Sequence, residues 1–335
     1  MVRIKDIAEK CGVSTASVSY VLHGKTEKVS PAVREKIEKE IAESGYISNQ
    51  SALSLVSRSS GLIGVAVMNG QEKKNILSDP YFGIFFSYLE KEFRKNDKYI
   101  LIILNQSADQ ILKDAMRWNL DGLILCNHKK DVMLQVSSQY VKPIVTIDAS
   151  FAYEYNKLVQ IFIDDFNGGY ITGKYFISAG HTKVAMLDDT DCEEDRHRWR
   201  GFKKAFEDAG VPIDESSHFI IDIEKEEMLD GMNRLYSQMM EKTAIFCISD
   251  FYALQLINFL QSKGVKVPED ISISGYDNIN YSTICTPKIT TVSQNVEKKA
   301  KLAVESMLKM IAGKEVGHSI KMPVELVIRE STRGL

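Results

Sequence analysis

The chain reads as an α/β protein: a small three-helix segment at the N-terminus, then two doubly wound α/β lobes. Three observations predict this. Residues 4–45 carry apolar side chains at helical spacing and no strand-like run. From Leu62 onward, short runs of Val, Ile and Leu alternate with helical stretches, as in buried parallel sheets. That alternation runs through twice, which suits two sheets rather than one.

The N-terminal segment is a helix-turn-helix followed by a third helix. Ile4, Ile7 and Ala8 share one side of a first helix, which Gly12 closes because a left-handed C′ residue is easiest without a Cβ. Ser14 is placed to cap a second helix. In that helix Val18, Val21 and Leu22 face inward, while Thr15, Ala16, Ser19 and Tyr20 face out. Ser30-Pro31 opens a third helix, with Val33, Ile37 and Ile41 as its buried stripe and Gly45 as its stop. An uncharged outward face on a second helix is what a major groove accepts. The same pattern also fits a plain helical bundle. So small a core is marginal and is expected to depend on a partner surface or on DNA for order.

Taken together, Ile4-Lys5-Asp6-Ile7-Ala8, Gly12-Val13-Ser14, Ser17-Val18-Ser19, Val21-Leu22, Val29-Ser30 and Gly45-Tyr46 resemble the lactose/galactose-repressor family of transcription regulators. The resemblance covers the whole chain. It implies that Thr15, Ala16 and Tyr20 read bases and that Ser14, Ser17 and Ser19 hold phosphates. Hydroxyls suit phosphate oxygens, and Ala16 can touch only a thymine methyl. Tyr20, His23 and Ser48 depart from the residues usual in the family (Arg, Asn and Pro), so the operator sequence does not carry over. The resemblance also makes residues 49–57 a hinge helix, with Asn49 and Ala52 at the DNA and Leu55 as an apolar wedge in the minor groove. So short a helix is expected to form only on DNA. By itself the stretch also reads as a Ser-rich linker.

Composition bounds the rest. The chain has 335 residues, 44% apolar and 26% charged, which suits a globular protein of several packed units. The reading includes no membrane span and no signal peptide. Five dispersed cysteines, Cys11, Cys126, Cys192, Cys247 and Cys285, argue against a disulfide framework or zinc site and suit a reducing cytoplasm. Net charge is −3, and the first 58 residues hold only a slight excess of Lys and Arg, so the helix pattern carries the case for DNA.

In the body, strands are expected at Leu62 to Val67, Tyr99 to Leu104, Gly122 to Cys126 and Ile144 to Ile147. A second set falls near Val159 to Ile163, Lys183 to Leu187, Phe219 to Ile221, Ala244 to Ile248 and Ile271 to Ser274. Helices are expected near Tyr81 to Lys95, Gln106 to Trp118, Asp131 to Gln139, Gly169 to Ser178, Trp199 to Ala209, Lys225 to Met240 and Phe251 to Lys263. After Pro287 come a strand, a helix near Val296 to Ile311 and a terminal strand that cross between lobes. The domains are then about 1–58, and 61–335 with lobes of about 61–162 plus 293–322 and about 163–292 plus 323–335.

Ligands of such sheets bind beyond the carboxyl ends of the strands, here between the lobes. The family's body resembles periplasmic sugar-binding proteins, which implies the same place. Tyr81 and Phe82 open a helix there; Asp148 ends a strand; Arg198 is expected to precede the helix holding Gly201 and Phe202; Ser249, Asp250 and Asp277 sit at two strand ends. Aromatic rings stack on sugar C–H faces while Asp and Arg bond hydroxyls, which suits a sugar. Each residue has a plainer use. Asp250 serves equally as a helix cap, Phe82 and Tyr81 as core, and Arg198 as a counter-ion to the acidic run before it.

Two motifs fall short. Gly168-Gly169-Tyr170-Ile171-Thr172-Gly173-Lys174-Tyr175 nearly spells a phosphate loop but ends in Tyr175, which cannot hold Mg²⁺. Asp188 to Asp195 approximates a calcium loop but has Glu194 at the sharp-turn position, so it reads as a solvated loop. No catalytic residues, metal or cofactor are assigned, and an enzyme is not expected. The reading is a cytoplasmic homodimeric transcription repressor of carbohydrate genes. It binds an inverted-repeat operator, answers to a sugar-like effector between its lobes, and touches no membrane. The alternative is a catabolite-control-type regulator whose co-effector is a phosphorylated carrier protein.

Overall fold

The computed structural model describes residues 2–22, 24–46, 59–68, 77, 79–104, 107–149, 151, 155, 157–189, 193–222 and 226–335. Asn49, Ala52 and Leu55, with the rest of the expected hinge helix, lie outside the described residues. The chain divides into two compact units, Met1–Ser60 and Gly61–Leu335.

The first unit holds α1 (Ile4–Cys11), α2 (Thr15–Leu22) and α3 (Pro31–Ser44). Asp6 accepts the Arg3 N–H at 2.8 Å and so starts α1. Gly12 ends it at φ 66, with Val13 N–H returning to Ala8 O at 2.9 Å. Ser14 Oγ accepts the Ser17 N–H at 3.1 Å and caps α2. Ser30, read as the cap of α3, makes no side-chain cap bond; an extended Ser30 followed by Pro31 at the first turn suffices to begin that helix. Ile7, Ala8, Cys11, Val18 and Ile37 form the core, with Val21, Leu22, Val33 and Ile41 around it.

The second unit contains two six-stranded sheets. The first lobe supplies β1 (Leu62–Val67), β2 (Tyr99–Leu104), β3 (Gly122–Cys126), β4 (Ile144–Ile147) and β5 (Leu158–Ile163). The second supplies β6 (Val184–Asp188), β7 (His218–Ile220), β8 (Ala244–Cys247), β9 (Ser272–Asp277) and β10 (Thr290–Ser293). The returning chain adds β11 (Ser319–Met322) beside β5, and β12 (Glu325–Val327) antiparallel to β10. Strand orders are β11-β5-β4-β3-β1-β2 and β12-β10-β9-β8-β6-β7, the same order apart from the direction of the last strand. β3, β4 and β8 are buried along their length, which is why their sequences are almost wholly apolar, whereas the equally buried β9 and β10 carry Ser and Thr.

The connecting helices are α4 (Pro80–Arg94), α5 (Ala108–Arg117), α6 (Lys130–Gln139), α7 (Asp165–Ser178), α8 (Glu193–Asp208), α9 (Met228–Met239), α10 (Asp250–Ser262) and α11 (Tyr281–Ile284). The crossing helix is α12 (Val296–Ile311). None of the described helices is long and apolar enough to cross a membrane.

Two helices start earlier than their sequences suggest. Asp164 caps α7 by accepting the Asn167 N–H at 3.1 Å, so Gly168 and Gly169 lie inside the helix rather than at its start. The glycines serve packing. A Cβ on Gly169 would fall 1.9 Å from Arg198 O, and one on Gly201 would fall 1.8 Å from Phe166 O. The α7 and α8 backbones therefore cross glycine against helix, which explains the resemblance to a phosphate loop. Because α8 begins at Glu193, Arg198 lies within it and does not precede it.

Candidate functional site

On the first unit, α2 turns Thr15 and Ala16 fully outward and leaves Ser17, Ser19 and Tyr20 half-buried. Ser14 Oγ and Ser17 Oγ lie 3.0 Å apart at the helix start, so their hydroxyls form a small polar rim beside Thr15. The helix carries no charged side chain.

On the second unit, the carboxyl ends of β4, β5, β6, β9 and β10 are followed by or end in Asp148, Asp165, Asp188, Asp277 and Gln294. Asp148 and Asp277 both take positive φ, at 54 and 106, conformations that side chains avoid unless the surroundings impose them. Asp148 accepts from Tyr81 Oη at 3.0 Å and from Lys299 Nζ at 2.6 and 2.8 Å. Lys299 comes from α12, is fully buried, and also donates to Tyr81 Oη at 2.8 Å and to Gln294 Oε1 at 2.7 Å. Gln294 passes the chain onward by donating to Asp277 Oδ1. Burial first, then the Asp148 charge, pushes the Tyr81 hydroxyl well above its ordinary value and keeps it a donor.

Arg198 anchors the other side. Its guanidinium donates to Asp165 at 2.8 Å, Asp195 at 3.2 Å and Ile248 O at 3.0 Å, and stacks 3.9 Å from the centre of the Tyr276 ring. Burial opposes its charge, but Asp165 and the neighbouring acids raise its pKa well above the usual value. Asp277 is pushed well above the usual carboxylate range by burial and then by the charge of Asp250.

The remaining predicted residues are used locally. Asp250 is fully buried and accepts the Ile279 N–H at 2.8 Å, which fixes the turn after Asp277; burial pushes it up to about 7. Ser249 caps α10 through Tyr252 N–H at 3.3 Å. Phe82 packs edge-on to Tyr81 and against Phe86, on the core side. The structure thus brings together Tyr81, Asp148, Arg198 and Asp277, and adds Lys299, Gln294, Asp165 and Tyr276.

Among the described residues of the acidic run, three are not solvated. Asp188, Asp189 and Asp195 are buried, with one carboxylate oxygen from each within 4.8 Å of the others. His218 at 2.9 Å from Asp188, Tyr252 on Asp189 and Arg198 on Asp195 compensate them. A groove of about 680 Å³ lined by Thr182, Lys183 and Thr243 opens at the starts of β6 and β8, the opposite strand ends from this cluster.

Comparison with known proteins follows this geometry. "Bacterial regulatory proteins, lacI family" matches residues 3–49, and "Periplasmic binding protein-like domain" matches residues 174–332. The HTH-type transcriptional repressor PurR of Photobacterium profundum is 30% identical over 344 residues, covering 100% of both chains. The chain belongs to the lacI family of bacterial regulatory proteins. A ribose operon repressor of Haemophilus influenzae is 31% identical over 348 residues, again covering 100% of both. The lac repressor dimer bound to operator and the anti-inducer ONPF shares the fold, with a TM-score of 0.84 at 23% identity over 99% of each chain. As a lacI-family member the protein is a DNA-binding transcriptional repressor regulated by a small-molecule effector.

Proposed function

We propose that this repressor is a cytoplasmic homodimer that grips an inverted-repeat operator through α2 and the hinge segment, and releases or tightens it when a sugar-like effector binds at the strand ends of its two lobes. In the headpiece Thr15, Ala16 and Tyr20 face base edges, while Ser14, Ser17 and Ser19 face phosphates. Asn49, Ala52 and Leu55 take the hinge role. In the body, Asp148 and Tyr81 bond effector hydroxyls from one lobe, and Arg198 and Asp277 do so from the other. Asp250, Ser249 and Phe82 position them. No chemical step is assigned to the site.

One observation supports this most. Equivalent strand ends of the two sheets each hold an aspartate in an unfavourable backbone conformation, and one hydrogen-bond chain joins them. Such an arrangement senses the relation between lobes, because a ligand bonded to both aspartates changes both ends of the chain. Sugar-bound relatives of this fold point to the same class of effector: a CelR–cellobiose complex (TM-score 0.72, 22% identity) and an Enterococcus faecium regulator with bound ribose (0.70, 24%). Coupling of about 1–3 kcal/mol between effector and operator, reciprocal by linkage, gives useful control.

The test is a thermal-shift screen of neutral sugars, ribose and cellobiose among them, on the wild type and on Asp277→Asn. A sugar that raises the melting temperature of the wild type and not of the variant supports the site. Equal shifts in both place the ligand elsewhere.

A further inference from the structure

The proposed reading helix has no cation of its own, since Thr15 to Leu22 contains no Lys or Arg. Hydroxyls and methyls discriminate base pairs less sharply than a cation on a guanine edge. The chain nevertheless brings a cation to the far end of this helix. Past Leu22, Lys25 N–H returns to Tyr20 O at 2.9 Å, and Lys28 N–H bonds Lys25 O at 3.2 Å. The turn formed by Thr26–Lys28 thereby folds back on α2. Lys28 Nζ lies 5.1 Å from the centroid of the Tyr20 ring. Val29, the next residue, packs against the headpiece core and fixes the turn. Lys28 is exposed and pairs with no carboxylate among the described residues, so its charge is available. A lysine on an aromatic face keeps a direction that a free lysine lacks.

We propose that Lys28 is a specificity-determining residue of the DNA site. Seated on Tyr20, it presents its ammonium to the N7 and O6 acceptors of a guanine in the base pair at the Tyr20 end of α2. This rests on the reading of α2 as the recognition helix. It differs from a phosphate contact, which would add affinity evenly across sequences and only steepen the salt dependence. The Tyr20 ring, rather than its hydroxyl, does the seating.

The experiment is selection from a random-duplex pool by the full-length protein, with sequencing of the bound fraction, for the wild type, Lys28→Gln and Tyr20→Leu. The wild type should select an inverted repeat with one favoured G·C pair per half-site at the Tyr20 end. Lys28→Gln should lower that preference roughly tenfold and leave other positions unchanged. Tyr20→Leu, which removes the ring that seats Lys28, should lose it at the same position. Circular dichroism will show the variants folded, since Lys28 lies outside the core. A uniform loss of affinity in Lys28→Gln with the preference intact overturns the proposal, as does an intact preference in Tyr20→Leu. If the wild type selects no inverted repeat, the recognition-helix reading fails and the role of Lys28 fails with it.

Discussion

β4 and β9 hold the same place in their respective sheets, and each leads into an aspartate with positive φ, Asp148 in one lobe and Asp277 in the other. The two are treated differently. Asp148 is met by a fully buried ammonium from Lys299, and a quarter of its side chain stays exposed. Asp277 is more deeply buried, has the amide of Gln294 as its partner, and feels the charge of Asp250 instead of a paired cation. The cation of that lobe, Arg198, bonds Asp165 and Asp195 and acts on Asp277 only through space. One half of the site thus has a directly paired cation, and in the other Arg198 and Lys299 offset the burial cost only in part. A ligand that donates hydrogen bonds gains most on the second half, and the chain through Gln294 and Lys299 carries that gain to the first.

The comparison breaks most visibly at Arg198. Arg198→Ala leaves Asp165 and Asp195 buried without their cation, which should cost about 3–5 kcal/mol of stability in denaturant unfolding. A loss below about 1 kcal/mol would mean that the carboxylates do not depend on it. Lys299→Met should cost less, roughly 1–3 kcal/mol, because Asp148 keeps access to water. Adding Asp148→Asn to Lys299→Met should recover part of that loss, and strict additivity would show that the pair is not coupled.

The pH dependence sharpens the contrast further. Asp250 titrates at about 7 in the folded protein, against an ordinary value of 3.8. The folded state therefore holds a proton that the unfolded state has released between those values. The contribution of Asp250 to stability should fall as pH rises from about 4 through 7, and stay flat once both states are ionised. Asp250→Asn should flatten that slope in melting curves taken across the range, whereas an unchanged slope would assign it to other groups. The smallest effect is expected at Tyr81→Phe, which removes one donor to Asp148 and should cost about 0.5–1.5 kcal/mol in the same unfolding experiment.

Much of this site is legible in the chain because strand ends are. Asp148 follows an apolar run that reads as a buried strand, Asp277 follows the less apolar Ile271 to Tyr276, and the ligand rule for such sheets then points at both. Lys299 is hidden by its neighbours, since Glu297, Lys298 and Lys301 make the segment look like a solvated face. A signal was present: Val296, Ala300, Ala303 and Met307 define the inward stripe of α12, and Lys299 lies on it. The burial of Asp188, Asp189 and Asp195 escaped the sequence for a different reason. Their partners His218, Tyr252 and Arg198 are spread over β7, α10 and α8, and no local pattern announces such pairing. The glycines of α7 approximate a phosphate loop because such a loop and a close helix crossing ask for the same residue. Only Gly201 on the facing helix separates the two.

The central claim is that the strand-end aspartates of both lobes hold one effector whose binding alters the grip on DNA. The most direct measurement is operator affinity by fluorescence anisotropy, with and without a sugar found to stabilise the protein, for the wild type, Asp148→Asn and Asp277→Asn. The account predicts a roughly 5- to 150-fold change in wild-type affinity that is lost in both variants, with Asp277→Asn the more severe. An affinity unmoved by the bound sugar, or moved equally in all three proteins, would contradict it.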